Sequence, residues 1–248
     1  MGKTIKYELI RNKMTLIILA CVLGGAEIIF LLGSSPSSTV MGLMLLYAGG
    51  MIAYFTIWLM GLLSFSRDLR DKSGYMIFLT PVSPYKIIFA KILTALMELV
   101  VAAVILVTLG FLDMGIVSAR FHRDYDFLGS FSRLLDTTTD RVWAVFLSVW
   151  ITALFTTLTL YAIAYLGSAL AAMSVQSKGG RRALSIVIII GILIVYATIS
   201  RSLPEISVRS DVLFRELLEK LPGIIFALLF SAGCTLATGY LLDRKISL

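Results

Sequence analysis

Residues 87–112 read IIFAKILTALMELVVAAVILVTLGFL, a run in which only Lys91 and Glu98 carry charge. Lipid offers no partner to an unpaired backbone N–H or C=O, so about 20 consecutive apolar residues cross the hydrocarbon layer as a helix. Working outward, the stretches 14–33, 40–65, 143–173, 183–200 and 223–242 meet the same test. Segment 143–173 is longer than one crossing needs and is expected to tilt or to extend past the interface. Of the 248 residues, 58% are hydrophobic and only 15% charged, against roughly a quarter charged in soluble domains. The expectation is an all-α, polytopic membrane protein, a single transmembrane domain over 1–248 with six transmembrane helices.

The net charge of +7 could point to nucleic acid, an acidic partner or a membrane, and placement decides between them. Basic residues gather in alternate segments: Lys3, Lys6, Arg11 and Lys13, then Arg67, Arg70, Lys72 and Lys86, then Lys178, Arg181 and Arg182, then Arg244 and Lys245. The intervening segments 113–142 and 201–222 are close to neutral. Under the positive-inside rule the excess is an orientation signal with both termini cytoplasmic, not a nucleic-acid patch. Leu19-Ala20-Cys21 imitates a lipoprotein cleavage site, but the apolar run continues past Cys21, so the first span reads as an anchor. Cys21 and Cys234 both lie in apolar runs, which excludes a disulfide framework or metal cluster built on them.

The segments between the spans differ in character. Residues 2–13 alternate Lys3, Lys6 and Lys13 with Ile5, Leu9 and Ile10, the pattern either of a short helix lying along the headgroups or of a plain basic flank. In the inner loop 66–86, charged residues lead into the apolar stretch Tyr75 to Leu79, which is too short to span and is stopped by Pro81. It reads as a short helix with an apolar face toward the cytoplasm, and such a face calls for a partner, or else for the membrane surface. In the outer segments, Phe127, Leu128, Phe131, Leu134 and Leu135 fall at helical spacing, as do Phe214, Leu217, Leu218 and Leu221, the latter ended by Pro222. Both are expected as amphipathic outer helices.

No phosphate-cradling Gly-x-x-x-x-Gly-Lys-Ser/Thr run occurs. Gly179-Gly180-Arg181-Arg182 lacks that spacing and reads as a short basic inner turn. His122 is the only histidine, and the residues form no catalytic or metal-binding constellation. ATP-driven work would have to come from another subunit.

The loop Asp71, Ser73-Gly74, Met76 to Leu79, Thr80-Pro81-Val82-Ser83, with Lys91 in the next span, resembles the ABC-2 type family of ABC transporter permeases, as do the span order, the basic start and the basic tail. Lys72 stands beside Asp71 where the family pattern has an acidic or neutral residue. The resemblance implies that residues 2–13 form a lateral elbow helix. It implies that Arg70, Asp71, Lys72, Gly74, Tyr75, Met76, Ile77, Phe78 and Leu79 form a cytoplasmic coupling helix docked on an ATPase. It also implies that helices before the last span lid the outer end, and that spans two and five line a pathway shared with a second permease copy. Partners would be two ABC ATPase subunits, a second copy, identical or paralogous, and the bilayer. No cofactor is expected in this chain, ATP and magnesium sitting on the ATPase, and the implied location is a bacterial plasma membrane.

Inside the spans, Glu27 and Glu98 must face protein or water, because an ionised carboxylate in hydrocarbon is costly. Glu98 either faces a wet cavity and meets a basic group on a cargo or makes an interhelical hydrogen bond to a Thr or Tyr. On span two, Met44, Tyr47, Met51, Tyr54 and Trp58 form one helical stripe, either a permissive wall for a greasy cargo or ordinary packing and lipid contact. Gly167-x-x-x-Ala171, Ser168-x-x-x-Ala172 and Gly233-x-x-x-Ala237 permit close helix approach, within or between subunits. These features lead to the expectation of the membrane subunit of an ABC exporter for an amphipathic or hydrophobic cargo such as a peptide toxin, bacteriocin or lipophilic antibiotic. An ion-coupled secondary transporter, or a non-transporting immunity or scaffold protein, are the alternatives. The orientation predicts that a fluorescent protein fused after Leu248 is bright in cells while alkaline phosphatase fused there is inactive. The reverse pattern would invert the topology.

Overall fold

The computed structural model describes residues 2–33, 35–69, 83–120, 127–175, 177–204 and 212–246. The described residues are helical apart from short caps and turns: α1 Gly2–Leu32, α2 Pro36–Asp68, α3 Pro84–Arg120, α4 Phe127–Ser174, α5 Lys178–Arg201 and α6 Val212–Ile246. Each contains a stretch long and apolar enough to cross a membrane, from Thr4–Leu32 in α1 to Leu218–Asp243 in α6. The surface is correspondingly greasy: Met51 and Leu32 are each 77% exposed, as side chains facing lipid can be.

Several boundaries differ from the hydropathy reading. Residues 2–13 are not a separate lateral helix: they are the opening turns of α1, which runs on without a break. The reason is burial, since Glu8 and Asn12 pack inside the bundle where a lateral helix could not take them. Segment 113–120 continues α3, and 127–142 is the start of the 48-residue α4, not a free outer helix. Gly179 to Arg182 is the first turn of α5, capped by Ser177, whose hydroxyl accepts from the Gly180 N–H at 3.3 Å. Pro222 lies inside α6 and does not stop it. A proline forfeits one hydrogen bond, to the carbonyl four residues back, which membrane helices tolerate where other groups can reach that carbonyl.

The chain turns sharply between α1 and α2. Ser35 and Ser38 form a capping box ahead of Pro36 at the first helical position. Gly42 then lets α2 cross directly on α1: a Cβ there would sit 2.6 Å from Phe30 Cα. Helices α1, α2 and α3 pack together, α4 packs on α5 and α6, and the two groups join through α2 with α4 and α3 with α4 and α6. The main core is formed by Phe65, Ile87, Ile88, Ile92, Leu99, Tyr161, Tyr165 and Leu242, with the Phe65 and Tyr165 rings stacked at 4.8 Å.

This core lies near the end of the bundle that holds both chain termini. There Glu8 meets Lys91, the Arg181 guanidinium donates to the Leu69 carbonyl at 3.4 Å, and Gly239 lies against the Tyr85 ring. Gly167 abuts Ile189 of α5, so that small-residue motif packs within the subunit, whereas among the described residues nothing lies within 4 Å of a Cβ at Gly233.

Gly61 sits at the crossing of α2, α3 and α4, where a Cβ would come 2.7 Å from Tyr161 Oη and 2.8 Å from Ala95 Cβ. Gly61→Val should destabilise the chain by about 1–3 kcal/mol through overpacking, read as a lower unfolding temperature in detergent. Gly49→Val, at a position where among the described residues only Leu23 comes within 4 Å, at 3.7 Å, should leave that temperature nearly unchanged.

Candidate functional site

The densest chemistry in the bundle is a cluster of four charges beneath the terminal end. The fully buried Lys91 ammonium, two turns into α3, donates to Glu8 Oε1 at 2.5 Å and lies 2.5 Å from Asp68 Oδ2. Arg11 donates to Asp68 Oδ1 at 2.6 Å and also to Glu8. The side chains of Glu8 and Asp68 are each 4% exposed. Two carboxylates and two cations alternate, so the cluster is neutral, which is how charges persist in a low-dielectric interior. It ties the first turns of α1 to the last residue of α2 and to the start of α3.

Glu98 belongs to the adjoining layer. Two turns along α3 from Lys91, its carboxylate accepts from Asn12 Nδ2 at 3.0 and 3.1 Å. The interhelical hydrogen bond is therefore present, with an asparagine in the place expected of a Thr or Tyr. Next to it the tyrosines of α4 are anchored on α2. Tyr165 Oη donates to the Gly61 carbonyl at 3.0 Å and lies 3.3 Å from Ser64 Oγ, and Tyr161 Oη donates to the Trp58 carbonyl at 3.3 Å. A carbonyl of a helix already carrying its own hydrogen bond accepts a second from each phenol, which fixes α2 against α4.

The α2 stripe divides in two. Tyr54 and Trp58 pack against the core, Trp58 also stacking on Phe55 at 5.6 Å. Met44, Tyr47 and Met51 are exposed on the outer half of the helix. The structure thus joins Tyr54, Trp58 and Glu98 to one packed region and leaves Met44, Tyr47 and Met51 on an open face. The expected coupling residues, Arg70 to Leu79, lie outside the described residues, flanked by Asp68 on one side and Lys91 on the other. Among the described residues no group of three or more His, Cys, Asp or Glu could hold a metal.

Sequence reasoning missed the cluster as a unit. Charge placement takes Arg11 only as part of the basic excess that sets orientation and gives Glu8 and Asp68 no role of their own. The available signal was the i,i+3 spacing of Glu8 and Arg11 together with a lysine well inside an apolar run, since a buried ammonium requires acidic partners. Asp113, assigned by hydropathy to an outer loop, is fully buried within α3, beside Glu27 of α1. Comparison of the chain with protein-family models, with curated proteins and with solved structures gives no match.

Removing one member of such a buried cluster leaves a charge uncompensated, at a cost of about 3–5 kcal/mol. Lys91→Met should lower the unfolding temperature in detergent accordingly, and the double variant Lys91→Met/Glu8→Gln, which restores neutrality, should recover part of the loss. A Lys91→Met protein that unfolds like the parent would show that the cluster contributes nothing.

Proposed function

We propose that the chain is the membrane-spanning subunit of an ATP-driven exporter of the ABC-2 type, resident in a bacterial plasma membrane with both termini in the cytoplasm. Its cargo is an amphipathic or hydrophobic molecule, of the kind represented by a peptide toxin, a bacteriocin or a lipophilic antibiotic. Two ATPase subunits supply the energy, and a second permease copy supplies the other half of the pathway.

The observation that carries this reading is the placement of Asp68 and Lys91. They flank the segment that includes Arg70 to Leu79, and both belong to one ion cluster with Glu8 and Arg11. A push delivered to that segment would therefore move α1, α2 and α3 as a unit, because separating any of them strands a buried charge. Coupling of this kind needs a bistable arrangement that the ATPase biases by binding one state better than the other. The half-open α2 stripe supports the cargo class. Met44 and Met51 are adaptable, and Tyr47 adds apolar area with a polar edge, properties suited to ligands of varied shape.

In this reading the tagged chain, extracted in mild detergent, brings down an ATP-hydrolysing subunit that has no spans of its own. Met76→Asp/Phe78→Asp abolishes that association while the unfolding temperature stays at the parent value. A chain that brings down no ATPase, or one whose association survives the substitutions, would overturn the assignment.

A further inference from the structure

Away from the termini, the middle of α4 around Thr152 to Thr156, the outer end of α5 and the first turns of α6 line a cavity of about 410 Å³, within the range of small-molecule sites. Its wall changes character with depth. At the rim stand Arg201 and Lys220, with Glu219 and the hydroxyl of Ser200; deeper lie Phe155, Tyr196, Ile224 and Ala227, with Thr152 and Thr156, whose hydroxyls donate to carbonyls of their own helix. Tyr196 continues inward as an aromatic cluster, its ring 5.4 Å from Phe226 and 5.2 Å from Phe230.

The level of the rim is set by the spans themselves. Arg201 directly follows the apolar run 183–200 of α5 and Lys220 stands three residues before the apolar run 223–242 of α6, which puts both cations just outside the hydrophobic stretches. Lys220 is held there, its ammonium donating to Ser148 Oγ at 3.0 Å, with two further N–H donors left over. Arg201, the last residue of α5, is exposed and has no ion-pair partner among the described residues. Among the described lining residues two cations stand against one acid, next to the rings of Phe155 and Tyr196, the reverse of what a cationic or wholly apolar ligand requires.

We propose that this cavity binds the phosphodiester headgroup of an anionic phospholipid, the phosphate between Arg201 and Lys220 and the first part of an acyl chain along Tyr196 and Phe155. Arginine's planar fork suits the phosphate oxygens, and lysine adds a point charge. The site depends on the spans alone and stands or falls separately from the exporter reading.

The test uses the full chain purified in neutral detergent, with phosphatidylglycerol, phosphatidylcholine and glycerol 3-phosphate added separately. Binding is followed by unfolding temperature and by native mass spectrometry. Phosphatidylglycerol should raise the unfolding temperature and remain bound, whereas phosphatidylcholine and glycerol 3-phosphate should not. Arg201→Gln/Lys220→Gln should weaken phosphatidylglycerol binding by about a hundredfold, the loss of one charge-assisted hydrogen bond from each cation.

A second variant guards against misfolding. Gly223 lines the cavity and, among the described residues, a Cβ there meets nothing within 4 Å, so Gly223→Leu adds bulk at the wall and should also abolish the stabilisation. Equal binding of phosphatidylcholine, full stabilisation by glycerol 3-phosphate, or retained binding in Gly223→Leu would each overturn the lipid site.

Discussion

The ammonium group of Lys91 organises the terminal half of the molecule. It is fully buried and shared between carboxylates from two other helices, and every close approach around it presupposes that arrangement. Taking four charges out of water costs more than their attraction returns unless each is paired and hydrogen-bonded. What such a cluster supplies is geometry: α1 enters the bundle at its first turns, α2 ends where Asp68 can reach Arg11, and α3 begins where Lys91 can reach both acids. The continuity of α1 from Gly2 is a consequence. A helix laid along the membrane surface at residues 2–13 would take Glu8 and Arg11 out of the cluster.

Beyond this cluster the helices hold together by means suited to lipid, where burying apolar surface against apolar surface gives little drive and close packing matters more. Gly42 and Gly61 let backbones approach, phenols of Tyr161 and Tyr165 reach carbonyls of α2, and Thr159 reaches the Ala227 carbonyl of α6 at 3.2 Å. These contacts gather around α4, which touches α2, α3, α5 and α6. Helices α1 and α5 have most of their apolar surface unburied. Among the described residues the polar chemistry divides in two: a neutral set of ion pairs near the termini, and Arg201 and Lys220 with Glu219 around a cavity on the other side.

Where the hydropathy reading and the structure part, the causes are specific. Residues 2–13, 113–120 and 179–182 were set apart from the spans because their polarity exceeds what hydrocarbon accepts. Backbone hydrogen bonding has no such limit, since a helix extends into the headgroup region as readily as through the core, and Ser177 caps α5 four residues before Arg181. Pro222 was read as a stop because a proline ends most helices in water; near the end of a span one lost hydrogen bond is tolerated. Glu98 shows the opposite case. Its need for a polar partner was legible from its position in an apolar run, but the partner, Asn12, is 86 residues away.

The amino-acid sequence by itself determined six apolar segments, their helical state and the need of each intramembrane charge for company. All three follow from a local constraint, the absence of hydrogen-bonding solvent in lipid. Which charge meets which, which half of the α2 stripe is packed and which open, and the joining of Arg201 to Lys220 around one cavity were decided only by the tertiary structure. Pairing depends on which helix faces which and at what height, and no property of a residue's own neighbourhood in the chain encodes that.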